Sequence, residues 1–466
     1  MLFSSIPFLF YFLPVVLLVY FAVPFRFKNF VLLISSLVFY GWGEPTYLIF
    51  MVISITQGYV FGRLIEKFRN SKWSKVFLTA SVLLSLSMLG VFKYADFFIE
   101  NFNALTGMSV AALRLALPIG ISFYTFQILS YAVDVYRGNV PAQRNFVNLA
   151  AYIAMFPQLI AGPIVRYSDV AEQLEKRNHT FEKAAKGIRR FTVGFAKKIL
   201  IANILGELVD SFKASEEKSV LFFWMYGIAY MLHVYFDFSG YSDMAIGLGK
   251  IFGFDFMENF NYPFISASVT EFWRRWHMSL GSWFRDYLYI PLGGNRVSKP
   301  RFLFNILVVW MATGFWHGAA WNFVLWGLFF AVFLITEKLF LLNILKKLKG
   351  LNHIYVLFLS LISFILFDNT SLKSAVYYIG GLFGAGNVAF VNTETVYYLI
   401  SYAVILVIAI IGCTPLPKIC YEKFGKTVVG SKVYCVVEPL VILAVLAVCT
   451  AFLIDGSFNP FLYFRF

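Results

Sequence analysis

Two histidines in unusual surroundings are the first candidates for chemistry in this sequence. His277 lies in the basic, aromatic stretch EFWRRWHMSL, whereas His317 follows the apolar run NILVVWMATGFW and precedes a second apolar run. A polar side chain at such a place lies in a bilayer or deep in the protein, and it is a functional candidate because its burial is costly. Imidazole is well suited to proton transfer near neutral pH. The pattern therefore predicts a base at His317, unless this residue is a neutral histidine bonded to a backbone carbonyl.

A second polar cluster occurs in the string HVYFDFSGYSDM, which begins at His233 and contains Asp237 and Asp243. The closeness of histidine and aspartate suggests catalysis. Polar groups inside a helix bundle also hydrogen-bond to neighbouring helices and fix their packing. We favour this structural interpretation for the cluster.

The elements that must position these residues are helices in a membrane. Apolar residues make up 60% of the 466-residue chain and charged residues 14%, and the mean hydropathy is +0.73. Soluble chains have about 45–50% apolar and ~25% charged residues. We expect an all-α polytopic membrane protein with roughly 11–13 transmembrane or re-entrant helices, plus interfacial helices, around a central funnel. The whole chain, 1–466, is predicted to be a single membrane domain with its core motifs in 230–330.

The net charge of +14 is expected to reside mainly in cytoplasmic loops. Counting Lys and Arg places the loops 24–29, 62–75 and 413–436 inside and both termini outside. No soluble basic domain is evident that would bind nucleic acid. The four cysteines lie near the C-terminus without a set of histidine ligands, so no metal site is expected. The opening apolar run lacks a signal-peptide pattern and is interpreted as the first transmembrane helix.

The segment 146–212 combines helix breakers with basic residues. Pro157, Gly162 and Pro163 predict a re-entrant or discontinuous segment. The following stretch has apolar residues at helical spacing, which predicts a basic amphipathic helix at the cytoplasmic interface; an ordinary span with flanking charges is the alternative. Its apolar positions are Ile188, Phe191, Phe195 and Ile199.

The turn Trp316–His317–Gly318 is flanked by predicted spans at 302–316 and 320–336. Neither span needs to cross the membrane completely. Two helices that stop short around this turn would place His317 at the floor of the funnel.

Long ordered strings resemble the membrane-bound O-acyltransferase family and, within it, the bacterial polysaccharide O-acetyltransferase branch that includes the membrane subunits of alginate O-acetylation. The strongest are EFWRRWHMSLGSWFRDYLYIPLGGNR and GFWHGAAWNFVLWG. Further strings agree: FYGWGEP at 39–45, LPIGISFYTFQILSYAVDVYRG at 117–138, FPQLIAGPIVRYSD at 156–169, FDFSGYSDMAIGLGKIFGF at 236–254 and NPFLYFRF at 459–466.

The resemblance implies an O-acyltransferase that takes an acetyl group from a cytoplasmic thioester and passes it across the membrane. In the family the deep histidine, here His317, is essential, and its partner position, here His277, is Asn, Asp or His. Family members commonly have Gln where His233 stands, which argues against His233 as the base. No bound cofactor is implied; the donor is acetyl-CoA or a phosphopantetheine thioester. Its phosphates are expected to meet Arg274, Arg275 and Arg285, which are otherwise positive-inside anchors.

The resemblance also implies a bacterial cytoplasmic-membrane location, an extracytoplasmic esterase-like acetyltransferase as partner and a surface polysaccharide as final acceptor. The polymer is open: alginate, cellulose, peptidoglycan or another glycan. A last span and external tail are expected at 437–466. The tail's Tyr463 is a candidate acyl relay between the thioester and the partner, with docking of the partner or plugging of the funnel as the alternative.

Two other functions stay open at this point. A secondary transporter or flippase also has broken spans, but it favours matching Gly/Pro-interrupted helices in two halves, which this sequence lacks. A lipid or protein O-acyltransferase of the same superfamily would accept an acyl group on a hydroxyl within the bilayer. The choice between these depends on where the chemistry-bearing residues meet in the fold.

Overall fold

The computed structural model describes residues 1–160, 162–369 and 371–455, which contain helices and no β-strand. Seven of the described helices are long and apolar enough to cross a membrane, and the chain is an all-α polytopic membrane protein as predicted. The remaining predicted spans form helices that are shorter or carry more polar residues, which explains why full-length apolar spans are fewer than the predicted 11–13 segments.

The helices follow one another with short connections. The first half of the chain forms α1 (Pro7–Ala22), α2 (Phe25–Gly43), α3 (Leu48–Lys67), α4 (Lys72–Thr106), α5 (Ile121–Arg137), α6 (Phe146–Ala154), α7 (Phe156–Leu159), α8 (Tyr167–Glu175) and α9 (181–214). The second half forms α10 (Val220–Ile251), α11 (Val269–Arg275), α12 (Met278–Phe284), α13 (Lys299–His317), α14 (Trp321–Leu345), α15 (Leu351–Asp368), α16 (Leu372–Gly381), α17 (Thr393–Gly412), α18 (Leu416–Gly425) and α19 (Val428–Ile454).

The chain divides into two compact units, Met1–Phe191 with Met244–Met257 and Thr192–Asp243 with the described residues from Glu258 onwards. The first unit packs α2 against α6 and α3 against both α4 and α5. Within it, the amide of Gln57 in α3 donates to Ser81 Oγ at 2.7 Å and accepts from Ser85 Oγ at 3.2 Å, both in α4. Polar residues within these apolar helices therefore pair across helix contacts.

The predicted re-entrant segment is short and broken, as expected from its prolines. The helices α6 and α7 are separated at Met155, and every side chain from Leu149 to Leu159 is buried. Tyr152 donates to the backbone carbonyl of Val165 at 3.0 Å, and Gln158 donates to the carbonyl of Tyr152 at 2.5 Å. Non-helical backbone at this place is covered by protein, which is what a membrane protein requires.

In the second unit, the apolar face of α9 packs on α10, and the position of this helix at the cytoplasmic interface stays a prediction. Phe195 and Ile199 are buried as expected, but the basic Lys198 is fully buried as well and pairs with Asp237 of α10 at 2.6 Å. His233 of α10 has its Nδ1 2.6 Å from the carbonyl oxygen of Ala202 in α9. His233 and Asp237 of the polar cluster therefore connect α10 to α9, which is the packing role that the sequence interpretation favoured.

The last helix, α19, begins at Val428 rather than at residue 437 and contains Pro439. Charged residues near its start made this stretch look like part of the basic loop, yet a helix accommodates them by extending beyond its apolar run. The single-domain organisation of 1–466 stays a prediction.

Candidate active site

The core of the site is the hairpin of α13 and α14 in the second unit, which the sequence predicted. The two helices approach closely at Gly314 and Gly327, where an added Cβ would collide with the carbonyl oxygens of Phe323 and Trp310. α13 ends at His317, Gly318 is extended, and α14 begins at Trp321. His317 therefore sits at the tip of the turn between two tightly packed helices.

Aromatic rings surround His317. Its ring centroid lies 5.0 Å from that of Trp316, 5.1 Å from that of Trp326 and 5.4 Å from that of Phe367. The imidazole is half-buried, which is less than the deep burial that the sequence indicated. A half-buried ring in an aromatic cage is accessible to a substrate and still shielded from bulk water.

His277 is the more deeply buried histidine, with 1% of its surface exposed. It caps the start of α12 in a left-handed backbone conformation, with φ 45° and ψ 53°. This region is sparsely populated by non-glycine residues, costs about 1–3 kcal/mol and clusters at functional sites. The fold therefore holds His277 in a strained position.

Asn259 fixes the orientation of His277. Its Oδ1 accepts from the Ser279 hydroxyl at 2.8 Å and from the Ser279 backbone N–H at 3.3 Å, and it lies 3.1 Å from His277 Nδ1. Because the backbone N–H is an obligatory donor, the Asn259 atom is an oxygen, and His277 Nδ1 carries the proton. The other ring nitrogen, Nε2, is then the unprotonated one.

The two histidines contact the same tryptophan ring, and the charge of one influences the other. Trp316 contacts both rings, with centroid distances of 6.1 Å to His277 and 5.0 Å to His317. Burial, and secondarily the charge of His317, lowers the pKa of His277 well below its ordinary value. His277 lies outside the membrane-spanning helices, and it is neutral at physiological pH.

The buried indole N–H groups of Trp273 and Trp326 lack a hydrogen-bond partner among the described residues. The Trp326 ring contacts the rings of His317 and Trp273, the latter at 5.5 Å. An unpaired buried donor is costly unless a ligand uses it. These two N–H groups are therefore available to bind an oxygen atom of a substrate.

The segment that carries Trp273 and His277 is anchored by a buried carboxylate. Glu337, in the C-terminal half of α14, is fully buried. Its carboxylate accepts hydrogen bonds from the backbone N–H of Val269 at 2.6 Å, and from the N–H and hydroxyl of Thr270 at 2.8 and 2.7 Å. These N–H groups belong to the start of α11, where a negative charge is favourable. The Glu337 carboxylate thus ties α11 to the hairpin that bears His317.

The three arginines of the predicted donor site are placed differently from one another. Arg275 pairs with Glu271 at 2.8 Å and Arg285 with Asp286 at 2.7 Å. Arg274 is exposed, and its charge lies within electrostatic reach of Lys338. Arg274 and Lys338 are therefore two neighbouring cationic side chains, whereas Arg275 and Arg285 already have carboxylate partners.

Sequence reasoning missed Asn259, Trp326 and Glu337. Only Glu337 carried a recognisable signal, since an ionisable residue in an apolar helix is a candidate by default. The predicted relay residue Tyr463 lies outside the described residues.

Comparison with known proteins identifies a family model and several relatives that match this chain. The family model for membrane-bound O-acyltransferases matches residues 140–367, which include both histidines. The chain is 37% identical to the "Probable alginate O-acetylase" of Azotobacter vinelandii, with 100% of each chain covered. It is 31% identical to the peptidoglycan O-acetyltransferase of Helicobacter pylori, over 100% of this chain and 98% of the other. It is also 32% identical to the teichoic acid D-alanyltransferase of Bacillus subtilis, over 48% of this chain and 59% of the other.

Proposed function

Because the chain belongs to the membrane-bound O-acyltransferase family, we propose that it is an O-acetyltransferase serving a surface polysaccharide in the bacterial cytoplasmic membrane. It takes an acetyl group from a cytoplasmic thioester, acetyl-CoA or a phosphopantetheine carrier, and passes it to an acceptor hydroxyl reached from the outside face. The observation that carries the proposal is that a half-buried His317 and a fully buried, oriented His277 both contact the ring of Trp316. The relatives that act on alginate and on peptidoglycan support a glycan as the final acceptor.

His317 acts as the general base. One of its ring nitrogens takes the proton of the acceptor hydroxyl, and the oxygen attacks the thioester carbonyl carbon to form a C–O bond. The C–S bond then breaks, and the leaving thiolate receives the proton. A positioned base of this kind contributes about 10²–10⁴-fold to the rate. The partial exposure of His317 supports this role, because a base must touch its substrate.

His277 assists without exchanging a proton with solvent. It is neutral, and its Nδ1–H is held by Asn259, so its Nε2 can accept a hydrogen bond and position the donor or the base. The carbonyl oxygen gains negative charge during attack and needs hydrogen-bond donors aimed at it. The unpaired indole N–H groups of Trp273 and Trp326 are suited to that purpose.

The donor enters with its phosphates near Arg274 and Lys338. Their charges interact with each other, and a phosphate placed nearby would relieve the repulsion. Arg275 and Arg285 then act mainly through their carboxylate partners, which are Glu271 within α11 and the neighbouring Asp286.

Tyr463 accepts the acetyl group from the thioester and passes it to an extracytoplasmic esterase-like partner. The phenol hydroxyl attacks the thioester, and the resulting aryl ester is a more reactive acetyl donor than an alkyl ester. The change Tyr463→Phe removes only this hydroxyl, so acetylation of the surface polymer should be lost while binding of the partner is kept. Mass spectrometry of the wild-type C-terminal peptide should find the acetyl group on Tyr463. Full polymer acetylation by the Tyr463→Phe protein would leave docking as the tail's role.

The central test is His317→Ala in purified, reconstituted protein supplied with radiolabelled acetyl-CoA and, separately, with an acetylated phosphopantetheine thioester. Thioester cleavage should fall about 10²–10⁴-fold, and His277→Ala should lose less. The matched control is His353→Ala, which removes a histidine whose Nδ1, among the residues that the structure describes, contacts only the carbonyl of Ser266.

Unchanged melting temperatures would establish that the variants fold. Transfer by His317→Ala close to the wild-type rate would show that another group is the base. Wild-type protein that cleaves neither thioester but transports ligand would favour the transporter alternative.

A further inference from the structure

Three lysine or arginine side chains are almost fully buried in the part of the chain that the structure describes: Lys28, Arg177 and Lys198. Lys198 has a carboxylate partner, Asp237, at 2.6 Å. Lys28 and Arg177, each 8% exposed, lie close enough to each other to interact electrostatically. Neither of them contacts a carboxylate among the described residues, so the first unit holds two adjacent buried cations without a counter-charge.

Neutral groups hold the Arg177 guanidinium in place. It lies between the rings of Phe254, at 4.5 Å, and Phe25, at 5.3 Å. Its Nε and Nη1 donate to neutral acceptors, and its Nη2 is buried without a partner. The acceptors are the Tyr20 hydroxyl at 2.9 Å, the Phe252 carbonyl at 3.1 Å, Asn29 Oδ1 at 2.7 Å and the Gln173 carbonyl at 3.1 Å.

Lys28 has the same character. Its Nζ donates to the carbonyl of Tyr20 at 2.7 Å and lies 4.3 Å and 5.1 Å from the ring centroids of Tyr20 and Phe21. One hydrogen bond leaves two N–H groups of the ammonium for another acceptor. The ammonium group of Lys28, which lies beside the end of α1, can therefore donate further hydrogen bonds to a ligand.

His179 completes the cluster without changing its charge. Its Nε2 lies 2.9 Å from the Tyr20 hydroxyl and 3.2 Å from the Phe252 carbonyl. Burial, and then the charges of Lys28 and Arg177, lowers the pKa of His179, so the imidazole is neutral at physiological pH. The positive charges of Lys28 and Arg177 remain, and the tyrosine hydroxyl between these residues is neutral.

Buried charges are normally paired, because the loss of hydration is not otherwise offset, and like charges add repulsion. An anion would remove both costs. We propose that Lys28 and Arg177 form a binding site for a phosphate group, carried by the headgroup of an anionic phospholipid. The lipid is favoured over free phosphate because the exposed aromatic side chains of Phe21 and Phe25 lie against the two cations, and aromatic residues at a membrane surface suit lipid contact.

The site differs from the proposed active site in its residues and in its ligand. Its probes are phosphatidylglycerol and the zwitterionic phosphatidylcholine, added to delipidated full-length protein in detergent and followed by native mass spectrometry. The wild type should bind one phosphatidylglycerol saturably and with preference over phosphatidylcholine. Lys28→Met keeps the length of the side chain and removes its charge, and it should weaken that binding about tenfold.

Lys186→Met is the matched control, since it removes one charge from the same unit at an exposed position that pairs only with Glu182. It should bind the lipid as the wild type does. A second arm measures the melting temperature with inorganic phosphate in the absence of lipid. A rise that Lys28→Met abolishes, without any preference for phosphatidylglycerol, would assign the same residues to free phosphate.

Equal binding of the two lipids by the wild type, with no effect of inorganic phosphate, would overturn the proposal. So would equal phosphatidylglycerol binding by the wild type and Lys28→Met. Because the first comparison uses wild-type protein alone, it decides the question even if a variant fails to fold.

Discussion

The two histidines of the site differ in how strongly the fold restrains their side chains. His277 is almost completely buried, hydrogen-bonded through Nδ1 and strained in its backbone. His317 is half-buried and contacts aromatic rings. A group that positions others is expected to be rigid, whereas a group that exchanges protons with a substrate must be reached. The contrast supports the roles proposed for them.

The lowered pKa of His277 makes a prediction about stability. An unfolded histidine has a pKa near ~6.5, and in the folded protein burial lowers the pKa of His277 well below this value. Below about pH 6.5 the imidazole is protonated in the unfolded chain but stays neutral in the folded protein. The free energy of unfolding therefore has its full value above that pH and decreases as the pH falls below it. Each unit of pKa difference corresponds to about 1.4 kcal/mol.

The measurement is the melting temperature in detergent as a function of pH between neutrality and mild acid. His277→Gln cannot be protonated, so it should lose less of its own stability on acidification than the wild type does. His353→Gln is the control and should follow the wild type. Parallel curves for the wild type and His277→Gln would contradict the assignment of a buried neutral His277.

At this scale the sequence identifies the histidines but not their partners. His277 and His317 stand out because ionisable side chains are rare next to apolar runs. Asn259 lies in the loop string ENFNYPF, where nothing in its neighbourhood indicates that it meets a histidine 18 positions further along the chain. Trp326 is one of ten tryptophans, and only the packing of α14 on α13 shows that it contacts His317. Such partners depend on tertiary contacts that local patterns do not encode.

Among the helices, α11 depends on a residue from another element. The carboxylate of Glu337 satisfies the backbone N–H groups of Val269 and Thr270, which a free helix start would leave without partners. α11 has only seven residues, so its own helical hydrogen bonds contribute little. The orientation of Trp273 and of the following His277 therefore depends on Glu337.

The change Glu337→Gln tests this dependence. It keeps the shape of the side chain, but it replaces one acceptor oxygen by an NH₂ group that faces N–H donors. The free energy of unfolding should fall by about 1–3 kcal/mol, and acetyl transfer should fall although Glu337 touches no substrate in the proposal. Melting curves and the thioester assay measure the two effects. Glu422→Gln is the control, at an exposed glutamate 3.9 Å from Lys418, and it should change neither the free energy of unfolding nor acetyl transfer. If Glu337→Gln leaves both quantities at their wild-type values, α11 is held by other contacts.

The helix α9 shows where element prediction from sequence reached its limit. Its basic residues at helical spacing are typical of an interfacial helix, and the same pattern suits a helix whose lysines pair with carboxylates of a neighbour. Lys197 and Lys198 pair with Asp243 and Asp237 of α10. The sequence displayed both sets of charges, but their register across two helices is a tertiary property. The break in the segment 146–160, by contrast, was predictable because proline breaks helices locally.

On the scale of the whole molecule, membrane insertion follows from composition, and the sidedness of the helices follows from the distribution of Lys and Arg. The loop 413–436 contains α18 and the exposed cysteines Cys420 and Cys435. The charge rule puts this loop inside. α19 has 27 residues, so at 1.5 Å per residue it is about 40 Å long, which exceeds the ~30 Å apolar thickness of a bilayer. Its far end, at Asp455, should therefore lie on the outside face.

This arrangement is testable with the protein's own thiols. In intact cells an impermeant thiol reagent should not label Cys420 and Cys435, whereas in inverted membrane vesicles it should label both. In a background where both are changed to serine, a cysteine at Asp455 should be labelled in intact cells only, and a cysteine at Lys72, in the loop 62–75, should react in inverted vesicles only. The buried Cys413 and Cys449 serve as unreactive internal controls. Labelling of Asp455→Cys from the same side as Cys420 would mean that α19 does not cross the membrane, and the relay proposed for the residues beyond it would then lose its route to an external partner.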